Sequence, residues 1–229
     1  MKHQLYDYSG FSLKRITEPR FRHALLLLGW VVYFALYFIT ENLIPAEACT
    51  PIHCALDDRI PFNEFFSIFY VGWYFFVFGS LAWYFFTDVE SFSKLSKFIM
   101  VTQAVAMLCY ILFPSRQDLR PTVFERQNIF TALMGFIYSF DTSTGVCPSL
   151  HVAYSMGIVS VVLKDKLAKP WVKAAVVFFA VMVCFAVCFV KQHSAVDVFA
   201  ALPVCLLAEI LVYHKTYWRP RLHKRTAAA

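Results

Sequence analysis

The amino-acid sequence reads as an all-α membrane protein with six transmembrane helices in one bundle. Of its 229 residues, 59% are hydrophobic and 18% aromatic, well above the roughly 45–50% apolar content of soluble domains. Six apolar runs, over 24–40, 64–86, 97–113, 148–163, 172–190 and 195–213, approach or reach the roughly 17–25 residues that a helix needs to cross a bilayer. The basic residues are segregated between the connecting segments, as the positive-inside rule requires. These observations divide the chain into an N-terminal segment over 1–22, a six-span domain over 23–213 and a basic tail over 214–229.

Residues 1–22 are polar and basic, with Tyr6, Tyr8 and Phe11 suited to a membrane interface. The first apolar run follows them without a small-residue cleavage site, so it is expected to be a retained anchor. Pro45, Pro51 and Pro61, with the pair Asp57 and Asp58, make the next segment a turn-rich loop. The second run is aromatic all round, which suits lipid contact and packing. Asp88 and Glu90 begin a short link in which Lys94 and Lys97 precede the third run.

The longest interval between runs extends from Pro114 to Cys147. Within it Phe130 to Phe140 is apolar but too short to span, so it is expected to be an additional short interfacial helix between spans three and four. Pro148 is expected in the first turn of span four, where its missing N–H costs nothing.

An even number of spans puts both termini on one side. Arg59, Arg116, Arg120, Arg126 and Lys191 fall on the other side, and the remaining sixteen of the 21 basic residues fall with the termini. The termini are therefore expected in the cytoplasm. The formal charge of +6 is accounted for by cytoplasmic basic segments beside an anionic leaflet, with no nucleic-acid partner. Among seven cysteines no metal-ligand spacing is joined to histidines. Cys49 and Cys54 form the nearest outward pair, for which a disulfide is chemically permitted.

Chemistry concentrates at the outward ends of the spans. His193 and Asp197 stand four residues apart, one above the other on a helix. That spacing lets the carboxylate accept the Nδ1 proton and leaves Nε2 as a nucleophile or base. Ser194 with Asp197 also matches a capping box, so a purely structural role is open for the same residues. His151 could supply a matching acid. Ser149 and the free amides at the start of span four favour an anion. Arg116 and Arg120, at i and i+4, offer planar forks of donors for phosphate oxygens.

These residues resemble the type 2 phosphatidic acid phosphatase superfamily of integral membrane lipid phosphatases and phosphotransferases. Arg120-Pro121 matches the end of its first motif, Pro148-Ser149-Leu150-His151 its Pro-Ser-Gly-His motif, and His193 with Asp197 the end of its third. The chain departs from the family at Phe113, where the first motif begins with Lys, at Leu150 in place of Gly, and at Ala186-Val187 in place of Ser-Arg. Arg116 and Lys191 are expected to replace the missing cations. The looser motifs are similar to the branch containing inositol phosphorylceramide synthases.

With the charge distribution placing His151 and His193 on the outward side, the resemblance implies an enzyme, expected at the plasma membrane, whose substrate is a lipid phosphate in the bilayer. His193 would attack phosphorus and become a phosphohistidine, Asp197 would orient it, and His151 would protonate the leaving oxygen. Arg116, Arg120, Ser149 and Lys191 would bind the phosphoryl group. No metal or other cofactor is expected. The acceptor is left open: water in a phosphatase, an alcohol in a headgroup phosphotransferase. So are the particular lipid and the oligomeric state. A transporter is the non-enzymatic alternative, and it is disfavoured because only Glu209 lies clearly inside a span.

Overall fold

The computed structural model describes residues 4–221, so the basic tail lies outside the described residues from position 222 on. The chain is helical throughout its apolar runs. In chain order the helices are α1 (Leu28–Leu43), α2 (Ser67–Thr87), α3 (Val89–Leu112), α4 (Ile129–Phe140), α5 (Leu150–Lys164), α6 (Pro170–Phe189) and α7 (Ala195–Tyr213). Five helical segments among the described residues are long and apolar enough to cross a membrane: Arg22–Leu43, Glu64–Thr87, Val89–Leu112, Pro170–Phe189 and Ala195–Arg221.

The fourth of the six expected spans, α5, falls short of that length. It has 15 residues, about 22 Å at 1.5 Å per residue, which is short of a typical hydrocarbon core. Its apolar character has another cause. Val152, Ala153, Tyr154, Ile158 and Val161 are all buried, and α2, α3, α6 and α7 pack around it. A helix enclosed by protein needs apolar side chains for packing whether or not lipid surrounds it. At Gly157 an added Cβ would lie 2.8 Å from the Phe98 ring, so the approach of α3 to α5 depends on the missing side chain.

Helix boundaries also shift where caps act. Asp88 accepts the Glu90 and Ser91 amides and starts α3 at Val89. The expected link is thereby reduced to one residue. Lys94 lies inside the helix, paired with Glu90 at 2.5 Å, and Lys97 lies inside it too. The expected interfacial helix is α4, capped by Asn128. Glu209, the acid inside a span, pairs with Lys164 at 2.6 Å.

Three loops meet at one end of the bundle. A short parallel pairing joins β1 (Thr50–Pro51) to β2 (Ser115–Arg116), and a further bridge joins Arg116 to Thr144. The cysteines are free, Cys49 and Cys54 included.

Candidate active site

The turn between α6 and α7 carries the polar residues. Lys191 adopts a left-handed backbone with φ 54°, a conformation that costs a non-glycine residue energy unless its surroundings hold it. Two contacts hold it here. The amides of Gln192 and His193 both donate to the Val187 carbonyl at 3.0 Å. The Lys191 ammonium donates to the carbonyls of Asp57 at 3.0 Å and Ile60 at 2.5 Å. Lys191, expected to bind a phosphoryl group, here directs its charge at the 44–63 loop and stitches the turn to it.

Asp57, only 3% exposed, completes that stitch. It accepts the Ser194 hydroxyl at 2.5 Å and the Ala195 and Cys54 amides at 2.8 Å. Burial opposes its ionisation, but these three donors outweigh burial and hold its pKa below the usual carboxylate value. The sequence places Asp57 in a turn-rich loop that could shape a headgroup pocket or merely connect two spans, and it does not show the partners, which are 137 and 138 positions away.

From this platform the turn presents His193 and the first turn of α7 presents Asp197; the expected placement of both on one helix is corrected, because Ser194 caps α7 and His193 precedes it. His193 Nδ1 lies 3.1 Å from Asp197 Oδ2, and the same oxygen accepts the Ser194 amide at 3.0 Å. The two roles left open for Asp197 are thus both filled, by one atom. The Asp197 carbonyl in turn accepts the Ser149 amide at 3.1 Å, which fastens the start of α5 to the start of α7. Pro148 sits one residue before the Ser149 N-cap rather than in the first turn, and it follows a cis peptide bond. Burial, with the nearby charge of Asp197, pushes the Cys147 thiol up to about 12.

His151 and His193 come together, as expected from their placement at span ends. His193 Nε2 is 3.3 Å from His151 Nδ1. Since Asp197 takes the Nδ1 proton, the network assigns a lone pair to His193 Nε2 and a proton to His151 Nδ1. Tyr70 and Trp73 hold the His151 ring at centroid distances of 4.8 and 4.2 Å. Among the described residues, two buried polar atoms in this constellation, Ser149 Oγ and His151 Nε2, have no hydrogen-bond partner. Buried polar groups are ordinarily satisfied, and α5 begins with no side-chain cap, so this end of the helix offers unused donors to a ligand.

The two arginines separate. Arg120 donates to the carbonyls of Asp141 at 2.7 Å and Thr142 at 2.8 Å and to the Gln192 side chain at 3.1 Å. It also lies over the Tyr138 ring at 4.7 Å. Arg116 turns the other way, to the Ala46 carbonyl at 2.9 Å and Asp118 at 3.2 Å. Arg116, likewise expected to bind a phosphoryl group, is aimed at the loop layer by strand pairing with Thr50–Pro51.

Asp141 is the residue that motif reading missed. Its Oδ2 accepts the Tyr70 hydroxyl at 3.1 Å and the Gln192 amide at 2.9 Å. Burial raises its pKa above the usual value, with Arg120 opposing.

A cavity of ≈ 230 Å³ lies in front of both histidines. Ten aromatic side chains line it, mainly from α1 and α2, and it extends to Phe34 and Phe78, which are exposed on the bundle surface. The cavity thus joins the histidine pair to the apolar exterior. Among the described residues no group of three or more His, Cys, Asp or Glu side chains is placed to hold a metal ion. No family model, no curated protein and no solved structure matches the chain.

Proposed function

We propose that the protein is a membrane-embedded phosphatase that removes phosphate from a lipid phosphate or diphosphate through a phosphohistidine intermediate. The observation that carries this reading is the alignment Asp197–His193–His151 at the polar end of a cavity whose other end is apolar. An amphiphile matches both ends.

His193 Nε2 attacks phosphorus while Asp197 stabilises the imidazolium that develops. The leaving oxygen takes its proton from His151, which must enter this step as the imidazolium, protonated at both ring nitrogens, and leaves it as the neutral ring. Ser149 and the uncapped amides of α5 stabilise the charge gathering on the phosphoryl oxygens. At 3.3 Å the two imidazoles leave no room for phosphorus between them, so substrate entry must part the pair. Water then releases phosphate from His193.

A second reading, transfer of the phosphoryl headgroup to an alcohol, is favoured by Asp141, Thr142 and Thr144, which line the cavity beside His193 and can seat a hydroxyl acceptor. In either case α5 would serve as a sixth, short span, with both termini cytoplasmic and the histidines facing outward at the plasma membrane.

The direct test is to incubate purified protein with a lipid carrying radiolabelled phosphate and quench in base, where phosphohistidine survives. Label should attach to the wild type and be absent from His193→Ala. Labelling of His193→Ala, or turnover by it, would remove the mechanism. For orientation, a lone cysteine at Asp118 should react with an impermeant thiol reagent outside intact cells, and one at Lys166 should not; both positions are exposed.

A further inference from the structure

We infer that the cavity takes a phosphate carried on a single hydrocarbon chain in preference to a diacyl lipid, and that Trp30 sets this choice. The inference rests on the phosphohistidine reading above and narrows its substrate by the shape of the tail.

Volume is the first reason. The cavity in front of the histidines measures ≈ 230 Å³. Since about 150 Å³ holds one benzene ring, this space holds roughly nine heavy atoms. A phosphate group fills about half of it and leaves room for a few carbons. A single chain occupies that room in file and leaves by the opening at Phe34 and Phe78, which are exposed on the bundle surface. In a diacyl glycerol phosphate the branch carbon stands three bonds from phosphorus, about 4 Å along an extended chain. The glycerol carbons and both ester groups must then enter together, and they exceed the space.

The chemistry of the wall is the second reason. Tyr70, Trp73, Tyr110 and Tyr154 line the cavity, but their polar atoms are engaged with the Asp141 carboxylate, the His151 carbonyl, the Pro148 carbonyl and the Gln103 side chain. What these residues offer a ligand is ring faces. Ring faces suit methylene groups, whereas an ester carbonyl seated against them loses its hydration without gaining a donor.

Trp30 closes the end away from the histidines. From α1 its ring meets Phe78 of α2 at 6.0 Å and Tyr154 of α5 at 5.5 Å between centroids, so one side chain joins three helices across the floor of the cavity. Phe34 lies beside it at 5.8 Å and faces the exterior, which turns a chain sideways out of the bundle. The indole occupies the volume that a second chain would need.

The experiment uses the whole protein in mixed micelles that contain hexadecyl phosphate and dipalmitoyl phosphatidic acid together, so that the ratio of kcat/KM is read by competition in one sample. Wild type should favour hexadecyl phosphate by about 10–100-fold, the range expected when added groups overfill a packed site. Trp30→Ala should lower that ratio by at least about 10-fold, by raising turnover of the diacyl lipid. Phe78→Ala opens the same contact from α2 and should move the ratio in the same direction, which keeps the test decisive if Trp30→Ala does not fold.

Equal use of the two lipids by wild type, a preference for the diacyl lipid, or a ratio that neither variant lowers would overturn the inference while leaving the histidine mechanism standing. Failure of wild type to release phosphate from either lipid, or release that survives His193→Ala, would instead remove the reading on which it rests.

Discussion

Asp197 Oδ2 lies 3.1 Å from His193 Nδ1 and 3.0 Å from the Ser194 amide. One buried oxygen therefore orients the imidazole and caps α7, and the two jobs can be separated by substitution. In Asp197→Asn the side-chain oxygen still caps the helix, but no carboxylate stabilises the imidazolium. Turnover should fall by about 10³–10⁴-fold, as in other His–carboxylate pairs. In Asp197→Ala the cap is lost as well, with roughly 1–2 kcal/mol of stability. Turnover and thermal unfolding in detergent distinguish the two; equal unfolding midpoints would deny the cap.

Ser149 carries the opposite balance. Its hydroxyl is fully buried and has no partner among the described residues, so it costs stability in the free protein. Ser149→Ala should unfold at the same temperature as wild type or higher, by up to about 1 kcal/mol in stability. If the hydroxyl meets the phosphoryl group, kcat should nonetheless fall by about 10²-fold. Unchanged kcat would assign Ser149 to the fold alone.

The same variant approach separates the lysine from the substrate. Lys191→Met removes two charge-assisted bonds to carbonyls and should cost roughly 2–4 kcal/mol of stability. KM for the lipid should not change, because the ammonium is directed at the 44–63 loop. A large rise in KM with unaltered stability would return Lys191 to the phosphoryl site.

How far these roles could be read in the sequence depended on how local their causes are. Helix positions follow from runs of apolar residues and were legible; the contact of His193 with Asp197 was legible from a spacing of four, although His193 stands in the turn before α7 and not on the helix. The meeting of His151 with His193 was legible only through their common placement at span ends. Arg116, Lys191, Asp57 and Asp141 were not, since each is assigned by a partner far along the chain. The direction of the Arg116 side chain depends on a strand pairing of two residues. The burial of α5 was hidden for another reason: an apolar helix surrounded by protein and one surrounded by lipid have the same composition.

Asp57 gives the test of whether the loop before α2 is part of the catalytic platform. Its lowered pKa means that its ionised form is favoured by the fold, through the Ser194 hydroxyl and the Ala195 and Cys54 amides. For a carboxylate held below its usual value of 3.8, the stabilisation is fully present above that value. It is lost as pH falls through the lower native pKa. Asp57→Asn, which cannot ionise, should therefore be less stable than wild type near pH 7, by roughly 1.5–3 kcal/mol for the charged hydrogen bonds lost. The difference should narrow as the pH is taken below about 4. Unfolding midpoints in detergent across pH 3–7 measure this directly. Because Asp57 anchors the residue next to His193, Asp57→Asn should also lower kcat while the protein remains folded. A stability gap independent of pH would mean that Asp57 acts through packing, and an unchanged kcat would separate the loop from the site.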